Sequence, residues 1–321
     1  KNHDGIQAYN RNEETIMDSI KTNGQYIDNH VALYCGDTTE LIKDYSDNCI
    51  DMEIFSPPFS SLYTYSNSDR DLGNCKDDEE FFMHFSFITK ELYRILKPGR
   101  IMAVHCMNLP TSKERDGYIG IRDFRGDLIR AFQDVGFIYH AEVCIWKNPV
   151  TAMQRTKALG LLHKQLKKDS CMSRMGIPDY VVFMRKPGEN PDRVMHTNET
   201  FPVSEWQEYA SPAWDELNSP IWWDINQSDT LNARMPHDDE SERHICPLQL
   251  PVIERCLRMY SNEGDVIFTP FLGIGSEVYQ AIKMKRKGIG IELKPAYFDA
   301  AVENIKNAEM EMEQHSLFDE L

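Results

Sequence analysis

Residues 51–59, Asp-Met-Glu-Ile-Phe-Ser-Pro-Pro-Phe, carry a strand-type run straight into Ser56, Pro57, Pro58 and Phe59. Two consecutive prolines can neither donate to a sheet ladder nor continue a helix. They hold the chain in a stiff extended turn, and Pro57 restricts Ser56 as well. A hydroxyl, a carbonyl and an aromatic ring are thereby aimed from the tip of a strand. Taken alone, the stretch also fits a rigid turn with Phe59 buried in the core. A second constellation is "DVIFTPFLGIGSEVYQAI", residues 265–282. It reads as a strand, a glycine-rich turn and a helix beginning near Ser276. Gly273 and Gly275 let backbone approach a ligand closely, and a helix N-terminus favours polar or anionic groups. Glu292 ends the following strand, where a carboxylate can accept both hydroxyls of a ribose. The pattern suits an adenosine-containing cofactor. A tight βα turn that binds nothing remains open, as does an NAD site, which is disfavoured because Val278 stands where the third glycine would be.

These groups need elements to hold them. Residues 12–22 suggest a short helix with Ile16 and Ile20 on one face, and 30–35 a strand ending at Gly36-Asp37. Phe81, Phe85, Ile88, Leu92 and Ile95 recur at helical spacing over 78–96. A strand over 101–106 follows, then a helix carrying Ile121, Phe124, Leu128 and Phe132 and closed by Gly136. Strands are expected at 137–146 and 179–186. Residues 187–243 break the rhythm with Pro, Asn, Asp, Ser and Glu. Helix, strand, turn, helix and strand then resume from Leu250, and a last helix starts near Pro295 with Phe298, Val302 and Ile305 on one face. Such alternation predicts an α/β fold, a mostly parallel sheet with helices on both faces.

Found in one α/β chain, the two constellations resemble those of the DNA amino-methyltransferases, which methylate N6 of adenine or N4 of cytosine using S-adenosylmethionine. Ser56-Pro57-Pro58-Phe59 matches the family's catalytic [DNS]-P-P-[YF]. "TPFLGIG", 269–275, matches its cofactor D-P-F-x-G-x-G, with Thr269 replacing the usual aspartate. "YCGDTTELI" is similar to its G-D segment, and "LYRILKPGRIMAVH" to its helix–KPG–strand. "HICPLQLPVIERCLRMYS" resembles the segment before the cofactor strand; Pro247 and Gln249 fit, while the lysine is missing.

The resemblance implies a class I methyltransferase fold, a Rossmann-like doubly wound sheet. The catalytic motif precedes the cofactor motif, which implies the circularly permuted β subgroup with an inserted target-recognition region. Asp37, Gln249, Pro270, Phe271, Gly273, Gly275, Ser276 and Glu292 would bind S-adenosylmethionine. Ser56 Oγ and the Pro57 carbonyl would accept the two hydrogens of the base's exocyclic amine. Pro58 would stiffen the turn, and Phe59 would stack on a flipped base. Serine at the first motif position favours N4 of cytosine over N6 of adenine. The implied division is an N-terminal extension (1–25), a catalytic half (26–149), DNA-contact and recognition insertions around the 179–186 strand (150–243), a cofactor half (244–308) and an acidic tail (309–321). Methyltransferases of RNA bases or protein glutamine are the rival enzymes. A catalytically weak DNA-binding module is a further rival, supported by Thr269.

The bulk properties narrow the partners. A net charge of −16 argues against nucleic acid on its face. Yet Arg155, Lys157, Lys164, Lys167, Lys168 and Arg174 cluster within 150–176 against Asp169 alone, and with Lys147 they are the expected phosphate contacts on double-stranded DNA. A solvated basic helix is the plain alternative. Trp206, Trp214, Trp222 and Trp223 could stack on bases but fit a core better. The eight cysteines include no C-x-x-C pair, so reduced thiols and no metal are expected. Neither a membrane span nor a signal core is evident. The expected setting is the cytoplasm of a prokaryote, or a phage-encoded protein, as a monomer or homodimer.

Overall fold

The computed structural model describes residues 22–59, 72, 75, 78–149, 167, 169, 171, 176–205, 221–231 and 247–319. The strands are β1 (Gly24–Ile27), β2 (Val31–Cys35), β3 (Met52–Phe55), β4 (Ile101–Met107), β5 (Leu109–Pro110), β6 (Ile121–Arg122), β7 (Ile138–Ile145), β8 (Asp179–Arg185), β9 (Ile221–Trp222), β10 (Val266–Thr269) and β11 (Lys287–Glu292). The helices are α1 (Thr38–Leu41), α2 (Asp78–Ile95), α3 (Lys113–Asp116), α4 (Phe124–Asp134), α5 (Leu250–Tyr260), α6 (Ser276–Lys283) and α7 (Pro295–Asp319). Nine strands form one sheet in the order β1-β2-β11-β10-β3-β4-β8-β7-β9, and β5 pairs with β6 apart from it.

The order explains how two distant motifs meet. The C-terminal strands β10 and β11 slot between β2 and β3, all four running parallel. The turns that leave β3 and β10 therefore emerge side by side at the carboxyl edge, where α/β sheets place their ligands. β3 and β4 are buried along their whole length, as parallel strands covered on both faces must be. One face packs Phe55, Val104 and Val182 against Phe81, Phe85 and Leu92 of α2 and Phe124 and Phe132 of α4. The other packs Met52, Ile54 and Phe183 against Val252, Ile253 and Leu257 of α5 and Ala281 of α6. Val31 and Leu33 of β2 meet Phe298, Ala301 and Ile305 of α7.

Three expectations change. Ile121 does not join the apolar face of α4. It pairs with Pro110 in β6 and is 50% exposed, because Asp123 caps the helix two residues later by accepting from Gly126 N at 3.1 Å. The 179–186 strand, expected in a mostly parallel sheet, runs against its neighbours. As β8 it lies inside the main sheet, antiparallel to both β4 and β7. The acidic end is no loose tail either, since α7 continues to Asp319. Two of its carboxylates have partners: Glu309 accepts from Tyr26 Oη at 2.8 Å, and Glu311 pairs with Lys283 at 3.0 Å. The helix expected over 12–22 lies outside the described residues.

Candidate active site

Ser56 is the first residue past β3. The ladder pairs Phe55 with Val104, so one further step sets Ser56 beside His105. Ser56 Oγ lies 2.9 Å from His105 Nδ1. His105 Nε2 lies 3.0 Å from Asp179 Oδ2, and Lys147 Nζ lies 2.5 Å from the same oxygen. The strands behind these contacts are neighbours in the sheet. Ser56, His105 and Asp179 continue the alternation of Ile54, Ala103 and Val181, so all three project on the α5 side.

The charge state of Asp179 orients this chain of bonds. Burial alone would raise the Asp179 carboxyl, but Lys147 and His105 outweigh it and hold the group down at about 2. An ionised carboxylate can only accept, so His105 Nε2 carries the hydrogen. In the neutral tautomer that donates from Nε2, Nδ1 presents a lone pair to which the Ser56 hydroxyl can donate. The lone pairs of Ser56 Oγ are left to accept. Phe59 is 7% exposed and sets its ring edge-on to His105 at 6.3 Å and to Phe124 at 6.4 Å. The ring is thus packed into the core while still bordering the cleft.

The cleft runs from Ser56, Pro57, Pro58 and Phe59 to the glycine-rich turn after β10. The turn is tied down from three sides. Thr38 Oγ1 donates to Pro270 O at 2.6 Å, Leu272 N to Ile291 O at 2.9 Å, and Asn304 Nδ2 to Ile274 O at 2.9 Å. Gly275 has φ 92°, and a Cβ there would sit 3.2 Å from Ala301 Cβ. Gly273 has φ 55° and opens onto free space, so backbone forms the cleft wall there. Glu292 bridges the turn, accepting from Gly273 N at 2.8 Å and from Lys294 N at 2.9 Å. Asp37 caps α1 through Thr39 N at 2.9 Å. Phe271 meets Phe55 edge-on at 5.8 Å. Asp37, Glu277 and Glu292 line the cleft against one cation, Lys294, among the described lining residues. Such a wall fits a positively charged nucleoside.

Of the expected cofactor residues, Asp37, Pro270, Phe271, Gly273, Ser276 and Glu292 border this one cleft. Gln249 does not. It is 7% exposed, and its backbone carbonyl receives Val252 N at the start of α5 while Oε1 is buried without a partner among the described residues; its neighbours Pro247 and Leu248 border the cleft instead. Gly275 lies behind the wall, against α7. Lys147 is no free phosphate contact, since Asp179 holds its ammonium. Lys167 is exposed. Arg155, Lys157, Lys164, Lys168 and Arg174 lie outside the described residues, as do Trp206 and Trp214. Trp222 is buried in the core, whereas Trp223 is 50% exposed and neighbours Trp146, ring centres 6.5 Å apart. Sequence reasoning missed His105, Asp179 and Glu277. A histidine inside the apolar "IMAVHC" and an aspartate opening "DYVVFMR" were the available signals, but joining them to Ser56 requires the strand order.

Residues 50–303 match the family model described as DNA methylase. The type II methyltransferase M.HpaI of Haemophilus parainfluenzae is 22% identical over 85% of this chain and 73% of its own length. M.MjaI of Methanocaldococcus jannaschii is 23% identical over 83% of this chain and 87% of its own. Among solved structures, a Thermus thermophilus protein described as a DNA modification methylase, complexed with S-adenosyl-L-methionine, superposes with a TM-score of 0.61 at 21% identity, covering 87% of this chain and 95% of that one. The cytosine-N4-specific PvuII DNA methyltransferase gives 0.60 at 17% identity, covering 88% and 90%. Both share this chain's α/β fold.

Proposed function

The chain belongs to the N6/N4 DNA methylase family, and from that premise we propose that it moves the methyl group of S-adenosylmethionine onto the exocyclic amine of a base flipped out of double-stranded DNA. The observation that carries this reading is the Ser56–His105–Asp179 chain of hydrogen bonds, which ends at the same cleft as the glycine-rich turn. Asp37, Gly273, Ser276 and Glu292 would hold the cofactor. When bound, it supplies a methyl group on a cationic sulfur.

The protein's own task is to position a weak nucleophile, whose lone pair is delocalised into the aromatic ring. Ser56 Oγ and the Pro57 carbonyl accept the two amine hydrogens, and the prolines fix their aim. As the amine nitrogen gives its lone pair to the methyl, one N–H proton passes to Ser56 Oγ. The Ser56 proton passes in turn to His105 Nδ1, and Asp179 steadies the resulting imidazolium. The logic is that of a serine–histidine–aspartate triad, used here to remove a proton from the substrate rather than to make serine a nucleophile. His105 then releases the proton to solvent.

Serine at the motif's first position favours N4 of cytosine, with N6 of adenine the second reading. Residues 150–243 outside β8 and β9 would carry DNA recognition, with Lys164, Lys167 and Lys168 among the phosphate contacts. Incubation with S-adenosylmethionine and unmethylated double-stranded DNA, followed by nucleoside mass spectrometry, tests the reading. N4-methylcytosine is expected, and Ser56→Ala should abolish it. N6-methyladenine would keep the mechanism and overturn the choice of base. Cofactor binding with no methylated base on any DNA would turn attention to RNA or protein glutamine.

A further inference from the structure

Glu277 is the second residue of α6, directly after the glycine-rich turn. It borders the cleft at 5% exposure. Its situation differs from that of the other two carboxylates there. Glu292 is taken by Gly273 N and Lys294 N, and Asp37 by Thr39. Glu277 meets no side chain among the described residues, and its own backbone N–H is the single group that eases its charge. Burial pushes its carboxyl up to about 8. An acid held so far from its ordinary range, with nothing opposite it, is costly to ionise unless a ligand brings a cation. Nearby on the turn's strand, Thr269 is fully buried, its hydroxyl unpartnered among the described residues, and offers no charge.

We propose that Glu277 holds the α-ammonium group at the amino-acid end of the cofactor, an inference that rests on the reading of this cleft as an S-adenosylmethionine site. S-adenosylmethionine carries two positive centres, a sulfonium and an ammonium. The adenosine end is provided for by Asp37 and Glu292, and the sulfonium methyl must face Ser56. The ammonium is the remaining cation, and Glu277 is the remaining carboxylate.

Three ligands separate the possibilities by direct binding, with no turnover needed. S-adenosylmethionine has both cations, S-adenosylhomocysteine keeps only the ammonium, and 5′-methylthioadenosine has neither. Calorimetric titration of Glu277→Gln should show the first two weakened about tenfold and the third changed less than twofold. Equal weakening of all three would mean a merely structural glutamate, and loss confined to S-adenosylmethionine would assign Glu277 to the sulfonium; either overturns the proposal. A measurement on the unaltered protein guards against a misfolded variant. S-adenosylhomocysteine should bind at least tenfold more tightly than its analogue with the amino group replaced by hydrogen, and equal affinities would overturn the proposal too. Failure of the unaltered protein to bind S-adenosylmethionine at all would instead remove the cofactor reading beneath it.

Discussion

At the scale of single residues, Asp179 sets the character of the site. It is an ionised group at 1% exposure, and its two partners come from β4 and from the segment that follows β7. Because its folded value is depressed to about 2 from 3.8, its stabilising contribution is complete above the ordinary value and disappears as pH falls from there toward 2. Urea denaturation of the wild type between these limits should show a pH-dependent fall that Asp179→Asn lacks; parallel curves would contradict the assignment. The catalytic counterpart concerns His105. With Gln in its place the Ser56 proton has no basic acceptor, and kcat should drop by about 10²–10⁴, the usual range for a proton-transfer group. KM for DNA should stay within a few fold. A rise in KM with kcat intact would reassign His105 to substrate binding. The serine of this chain is legible in the sequence because two prolines follow it. The histidine and aspartate are not, because nothing local distinguishes them from polar residues ending a strand.

At the scale of elements, β3 both delivers Ser56 and carries a burden. Glu53 lies within it at 0% exposure, on the α2 side, and neither carboxylate oxygen has a partner among the described residues. Burial drives its carboxyl well above 4.5, with Lys186 only partly opposing. For an acid raised in the folded state, stability is fully present below the unfolded value and is lost as pH rises toward the folded one. Glu53→Met should therefore stabilise the protein at pH 8 by about 1–3 kcal/mol, the usual cost of an unsatisfied buried group, and by less at pH 5. Chemical denaturation at the two pH values measures this, and a destabilised variant at pH 8 would refute it. Most elements are legible for ordinary reasons. α2 shows helical periodicity, β4 a continuous apolar run, and the turn before α6 its glycines. What escapes is pairing. A strand's sequence does not say whether its neighbours run parallel, so β8 is recognisable as a strand but not as the antiparallel partner of β4. α7 reads too short for a similar reason: its acidic end looks unsupported until Tyr26 and Lys283 are brought beside it from far along the chain.

At the scale of the whole molecule, a net charge of −16 has to approach a polyanion. Attraction must then be local, and the basic run within 150–176 is where the sequence provides it. Replacing Lys164, Lys167 and Lys168 by Gln should weaken binding to all DNA sequences alike. It should also make the dependence of log Kd on log salt shallower by about 0.9 for each phosphate that is no longer neutralised. Fluorescence anisotropy over a salt series reads both, and an unchanged slope would place the DNA elsewhere. The antiparallel course of β8 adds a consequence for how such proteins change over time. β7 leaves the sheet and β8 re-enters it at one spot, where Ile145 stands opposite Asp179 and Lys147 clasps that aspartate. The chain between therefore starts and ends beside the aspartate that His105 contacts. Lengthening a flexible connection costs only about 0.6 kcal/mol per doubling. On the proposed reading, exchanging the intervening stretch like a cassette would give a new target site while Ser56, His105 and Asp179 stay as they are.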